Sequence, residues 1–239
     1  MTDMTKSAIS LEKIQAQAPG LVSLAKTAAV TLEKNGLDGH RAAVYLVLDH
    51  SGSMGHHYQS GAVQKLADQA LGLSVNLDDD GIVPVIFFGS SAEEPADVSL
   101  SNYASAVQRL RPKRMGSTNY ADAMHTVITH YCTSGASDPA LVIFQTDGEP
   151  DSRKDAERLL KEASSLPIFW SFVGFGDELT FLRKLDTLRV GFGGRKVDNA
   201  SLFETGRKPM NVSDADLYDG IMHEYPDWLV AARNAGIIR

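Results

Sequence analysis

Asp49, Ser51, Ser53, Thr118 and Asp147 carry oxygen donors whose types and spacing suit one hard cation. Asp49, Ser51 and Ser53 alternate along residues 49–53, so an extended loop can aim all three side chains at one ion. Thr118 lies in a second polar stretch, RMGSTNY at 114–120, and Asp147 in a third, ALVIFQTDGEP at 140–150. Carboxylates and hydroxyls are the ligands preferred by Mg²⁺, Ca²⁺ and Mn²⁺. Two carboxylates with hydroxyls supply only part of the octahedral shell that Mg²⁺ demands, so one position stays replaceable. Taken alone, Asp, Ser and Gly after a strand also make an ordinary turn. The first stretch by itself fits both readings.

The elements that must hold these residues decide between them. Residues 44–48, VYLVL, are a short unbroken apolar run, as in a parallel strand buried on both faces. Residues 141–144 repeat the pattern and end in Thr146, Asp147 and Gly148. Polar side chains at the C-terminal ends of central strands stand where ligands bind in open α/β sheets. Strands and helices alternate throughout, which specifies a doubly wound, mostly parallel sheet flanked by helices.

With all three stretches in view, the chain resembles the von Willebrand factor A (vWA) family. That family's metal-ion-dependent adhesion site is written Asp-x-Ser-x-Ser, then Thr in a second loop, then Asp in a third, matched here by Asp49, Ser51, Ser53, Thr118 and Asp147. HSGSM, NLDDDG, FQTDGEP, FVGFGDE and the closing YPDWLVAARNAG further resemble the A domain of TerF-type tellurite-resistance and stress-response proteins of bacteria. The likeness runs from about residue 18 to the end. It implies a Rossmann-like strand order, with the short segment at 97–100 antiparallel at one edge. It also implies a divalent cation, Mg²⁺ first with Ca²⁺ or Mn²⁺ as alternatives, and a partner protein that contributes a carboxylate to it. In that family the A domain often follows a TerD-like domain; the roughly 40 residues before the first strand are too few for one.

Composition narrows the classes. The 239 residues are 43% hydrophobic and 22% charged, ordinary for one large α/β domain. A net charge of −7, with no basic run beyond Arg109, Arg111, Lys113 and Arg114, disfavours nucleic acid as a partner. The single cysteine, Cys132, rules out an internal disulfide and suits a reducing compartment. No leader or membrane-length apolar stretch is present, so the expected location is cytoplasmic, without membrane insertion.

Residues 1–7 are polar and read as loose. A helical arm over residues 1–37 is expected next, with Ser10 as a cap and an apolar stripe through Leu21, Leu24, Ala25, Ala28, Ala29 and Leu32; the vWA domain then spans 38–239. Core packing is the preferred use of that stripe over a partner groove. Further helices are expected from Ala62, over 103–110, over 119–131 with Ala121, Met124, Val127 and Ile128 inward, over 152–164, over 179–185, after Ser213 and after Pro226. Strands are expected at 82–88, at 167–175 and, last, at 196–198 with flanks.

Other candidates are weaker. Adjacent His56 and His57 have no third ligand at zinc-finger spacing, and Asp78, Asp79 and Asp80 read as a solvated turn. Cys132 reads as a buried, inert thiol. Gly174-Phe175-Gly176 lacks the third glycine of a dinucleotide fingerprint. An exposed rim of His56, His57, Tyr58 and Tyr120 is expected around the ion. Two function classes stand: a metal-dependent interaction module, or a metal-dependent hydrolase or phosphotransferase using the ion as Lewis acid. The second needs a positioned base, for which Glu149 and Asp151 are the candidates, and a cation at the ion. Residues 49–55, 116–120 and 147–150 contain no Lys or Arg, which favours the first.

Overall fold

The computed structural model describes residues 7–239; apart from Ser7, the polar start expected to be loose lies outside them. Its centre is a six-stranded sheet of β1 (Ala43–Asp49), β2 (Ile82–Phe88), β3 (Ala96–Ser99), β4 (Ala140–Thr146), β5 (Ile168–Gly174) and β6 (Ala200–Glu204). The strand order is β3-β2-β1-β4-β5-β6, all parallel except β3, which runs antiparallel to β2. From β1 the chain goes outward through β2 and β3, then crosses back to β4 and proceeds the other way. The strand order thus reverses between β1 and β4, where open α/β sheets leave a crevice at their carboxyl ends. Register places Leu48 beside Gln145 and Asp49 beside Phe88, so the chemistry-bearing strand ends share one edge.

Alternation along each strand feeds two cores. Val44, Leu46 and Leu48 face one layer, whose helices include α2 (Val22–Lys34), α4 (Ala62–Leu77), α9 (Asp214–Met222) and α10 (Tyr225–Asn234). Tyr45 and Val47 face the other, with α6 (Tyr120–Ser134), α7 (Arg153–Ala163) and α8 (Thr180–Asp186). The connection after β1 therefore leaves to one face and that after β4 to the other, which opens the crevice.

Local signals account for the helix ends. Ser10, Asn119, Ser152 and Ser213 each accept a hydrogen bond from the backbone N–H three residues on, capping α1 (Leu11–Gln17), α6, α7 and α9. The N-terminal helices are part of the main body: Ile14, Leu21, Ala25, Ala28 and Leu32 are buried in the first core. Gly72 of α4 makes this approach possible, since a Cβ there would stand 2.6 Å from Leu24 Cβ.

Some expectations are corrected. The last strand is Ala200–Glu204, not 196–198, because Arg195 and Asp198 pair with each other and hold residues 195–198 in a turn. The helix expected over 103–110 is the shorter α5 (Ala106–Leu110), preceded by Ser105 in the left-handed region at φ 56°. Cys132 is exposed rather than buried, because its neighbour Tyr131 takes the inward position on α6. No described helix is long and apolar enough to cross a membrane.

Candidate metal site

Asp49 ends β1 with no solvent exposure. Its Oδ1 accepts a hydrogen bond from the Ser51 backbone N–H at 2.7 Å, and its Oδ2 accepts from Thr146 Oγ1 at 2.6 Å. Ser51 and Ser53 follow on a short 3-10 turn, Gly52–Met54, which places their hydroxyls 3.1 Å apart. Ser53 Oγ donates to Asp147 Oδ1 at 2.8 Å, one residue beyond β4. The structure thus brings four of the sequence-predicted residues, Asp49, Ser51, Ser53 and Asp147, into one hydrogen-bonded chain across the crevice. Thr118 stands on the adjoining loop, half-buried, and none of the hydrogen bonds among the described residues uses its Oγ1.

Backbone pairing explains why three loops meet here. Ser51 bridges to Gly116; Gly116 N–H donates to His50 O at 3.0 Å, and Gly52 N–H donates to Gly116 O at 3.2 Å. Asn119 N–H donates to Gly89 O at 2.8 Å. A Cβ at Gly116 would stand 2.5 Å from Ser90 N, so only glycine permits this approach. On the other side, Asp151 joins the third loop to the second. Its Oδ1 accepts from Thr118 N–H at 3.1 Å, its Oδ2 accepts from Ser117 Oγ at 2.6 Å, and its own N–H donates to Thr118 O at 2.9 Å.

The donor set fits a hard ion. Around an octahedral Mg²⁺ with bonds of about 2.1 Å, neighbouring oxygens lie about 3.0 Å apart. The 3.1 Å and 2.8 Å separations among Ser51, Ser53 and Asp147 have that spacing. Among the described residues no group of three His, Cys, Asp or Glu is arranged to hold a metal, so any ion here depends on hydroxyls beside the two carboxylates. Burial pushes the Asp49 carboxyl up to about 6, against the pull of its Thr146 and Ser51 hydrogen bonds, with Asp147 adding to the rise. Asp147 is raised by burial too, with Ser53 and His56 opposing. For both carboxylates the effect of burial outweighs the contacts that favour their charge. Arg153, at the edge of the third loop, is occupied by Glu149 at 2.9 Å.

The rim is largely corrected. Tyr120 is fully buried beneath the site, its hydroxyl 3.0 Å from Thr146 Oγ1 and within reach of Gly148 O. His57 is buried against Phe175, ring centroids 5.0 Å apart, because a short helix, α3 (Gly55–Gln59), turns it inward. Tyr58 is half-buried and donates to Asp49 O at 2.8 Å; His56 alone of the four is exposed. Thr146, Tyr120 and Asp151 were not expected to support the site. The available signal for Thr146 was a hydroxyl at the polar end, Gln145-Thr146, of a strand that begins as an apolar run.

This crevice, with Asp-x-Ser-x-Ser after the central strand and Asp after its neighbour, defines a von Willebrand factor A-type α/β domain. The vWA-TerF-like family, described as the vWA found in the TerF C terminus, matches residues 41–238, and the chain belongs to it. The uncharacterized protein YcbR of Bacillus subtilis (strain 168) is 33% identical over 221 residues, covering 90% of this chain and 88% of that protein. Among solved structures, proximal thread matrix protein 1 from the mussel byssus superposes with a TM-score of 0.56 at 14% identity. That match covers 76% of this chain and 48% of the mussel chain, so this chain corresponds to about half of its length. The same mussel protein has also been solved with a zinc-occupied MIDAS motif, at a TM-score of 0.51, 14% identity and 77% and 47% coverage. Manganese-loaded Plasmodium vivax TRAP protein matches at 0.50 with 20% identity, over 69% of each chain.

Proposed function

We propose that this chain is a metal-dependent interaction module that holds a divalent cation, Mg²⁺ first, and through it an acidic group of a protein partner. Asp49, Ser51, Ser53, Thr118 and Asp147 are the residues that would hold the ion. The observation that carries this reading is the set of oxygens from Ser51, Ser53 and Asp147 at ligand-edge spacing over the buried Asp49. A bound cation would supply positive charge at a protein surface, and an anionic partner group would gain from it. The zinc and manganese held by the mussel and Plasmodium proteins support a divalent ion here. The family's TerF relation supports a role in bacterial tellurite resistance or stress response.

Binding is preferred over catalysis because both candidate bases are already engaged. Glu149 accepts from Phe181 N–H and from Arg153, and Asp151 holds Ser117 and Thr118. Neither stands free to move a proton. Capture of partners from bacterial lysate, with and without EDTA, tests the module: capture lost in EDTA and in Asp49→Ala supports it. Phosphatase turnover that is metal-dependent and abolished by Asp49→Ala would reverse the choice.

A further inference from the structure

The site has a basic flank that its own chemistry does not use. Arg111, Lys113 and Arg114 are exposed and lie immediately before the loop of Gly116 and Thr118. None of the three makes an ion pair among the described residues, whereas Arg153, Arg183 and Arg207 are paired with Glu149, Glu204 and Asp177. Arg109, earlier in the run, is taken up by the carbonyls of Ala104 and Asn102. Unpaired cations in one short stretch of a chain with net charge −7 stand out.

Their placement ties them to the site. The Arg111 guanidinium lies 5.6 Å over the Tyr58 ring, and Tyr58 donates to the carbonyl of Asp49. Two residues beyond Arg114, the Gly116 N–H donates to the carbonyl of His50, the residue after Asp49, at 3.0 Å. Arg114 is two residues from Gly116, so the Cα atoms of those two lie within about 7 Å, and Gly116 in turn pairs with Ser51. In an extended peptide, side chains on one face also recur about every 7 Å. Met115, 38% exposed, lies between the cations and the loop and offers an apolar contact.

We propose that Arg111, Lys113 and Arg114 form a second recognition surface beside the ion site, and that the partner segment is an extended, multiply acidic peptide. This rests on the interaction reading above: one carboxylate goes to the ion, and those flanking it lie along the basic ridge. The ridge selects partners with several acidic residues over those with one, and it speeds their encounter. An acidic peptide is preferred over nucleic acid, because three cations on an acidic protein make too short a track for a phosphate backbone.

The test uses the full chain and two fluorescent peptides, one of alternating Ser and Glu, the other identical but with a single Glu and Gln elsewhere. Anisotropy is read with Mg²⁺ for the native chain and for the Lys113→Glu, Arg114→Glu double variant. Both positions are exposed, so its melting temperature should stay unchanged. The expected result is that the variant binds the multi-Glu peptide about tenfold more weakly, since exposed pairs are individually modest. Its binding of the single-Glu peptide and of Mg²⁺ itself should not change. Equal affinity of both chains for the multi-Glu peptide overturns the ridge, and if EDTA still abolishes that binding, the ion's role survives. Binding that ignores EDTA but falls in the variant keeps the ridge and discards the ion's part. No binding of the multi-Glu peptide by the native chain, or tighter binding of a single-stranded oligonucleotide of equal charge, overturns the proposal.

Discussion

At Asp49 the demands of stability and of ligand binding oppose each other. The carboxylate is shielded from water, and burial lifts it from its ordinary value of 3.8 to about 6. A carboxyl raised in the folded state holds its proton more tightly there than in the unfolded chain. Without an ion, the stability tied to this group is therefore greatest below about pH 4. It falls as pH rises through about 6 and is then level, a loss on the order of 3 kcal/mol. Asp49→Asn removes that slope, because the amide never ionises. Its Oδ1 still accepts from Ser51 N–H, and its NH₂ meets Thr146 Oγ1 in place of the carboxylate. In EDTA near neutral pH the variant is expected to be about 1–3 kcal/mol more stable than the native chain by urea titration, and to bind no Mg²⁺. Equal or lower stability would mean that the Thr146 and Ser51 hydrogen bonds already compensate the charge.

The site's geometry is set by how the loops are joined more than by any single strand. Asp151 lies outside the metal motif, yet its carboxylate and backbone make three hydrogen bonds to Ser117 and Thr118. Asp151→Ala is expected to leave the sheet intact and to weaken Mg²⁺ binding by about tenfold, as supporting contacts at metal sites do. Calorimetry with a melting curve checks it, and a full loss of fold would instead make Asp151 a general structural tie. Sequence showed the strands well because β1 and β4 each contain an unbroken apolar run and β5 is apolar but for Ser171. It misplaced β6, an edge strand in which Leu202 and Phe203 are only half-covered. On α6 the apolar stripe of Ala121, Met124, Val127 and Ile128 does face the core, the middle two buried and the outer two partly so, but the buried face also includes Tyr120, Ala123 and Tyr131. Tyr120 therefore lies on the floor of the site and not on its rim. The metal-type residues were legible because their donor chemistry is in their side chains. Thr146 and Asp151 act through contacts that only the folded loops create.

Across the molecule, the N-terminal helices and the sheet share one core. Ile14, Leu21 and Leu32 are buried there, each contributing about 1.5–3 kcal/mol, against a typical domain stability of about 5–15 kcal/mol. A chain of residues 38–239 is therefore expected to lose its cooperative melt and to aggregate, as read by circular dichroism and light scattering. A melt like that of the full chain would make the arm dispensable. The central claim concerns the crevice between β1 and β4, and calorimetric titration of Mg²⁺ into the full chain near neutral pH tests it most directly. Saturable binding is expected for the native chain and none for Asp49→Ala or Asp147→Ala, with the far-ultraviolet spectrum of each variant unchanged. If the native chain binds neither Mg²⁺, Mn²⁺ nor Ca²⁺, or if both variants bind as it does, the oxygens of this crevice are not a metal site.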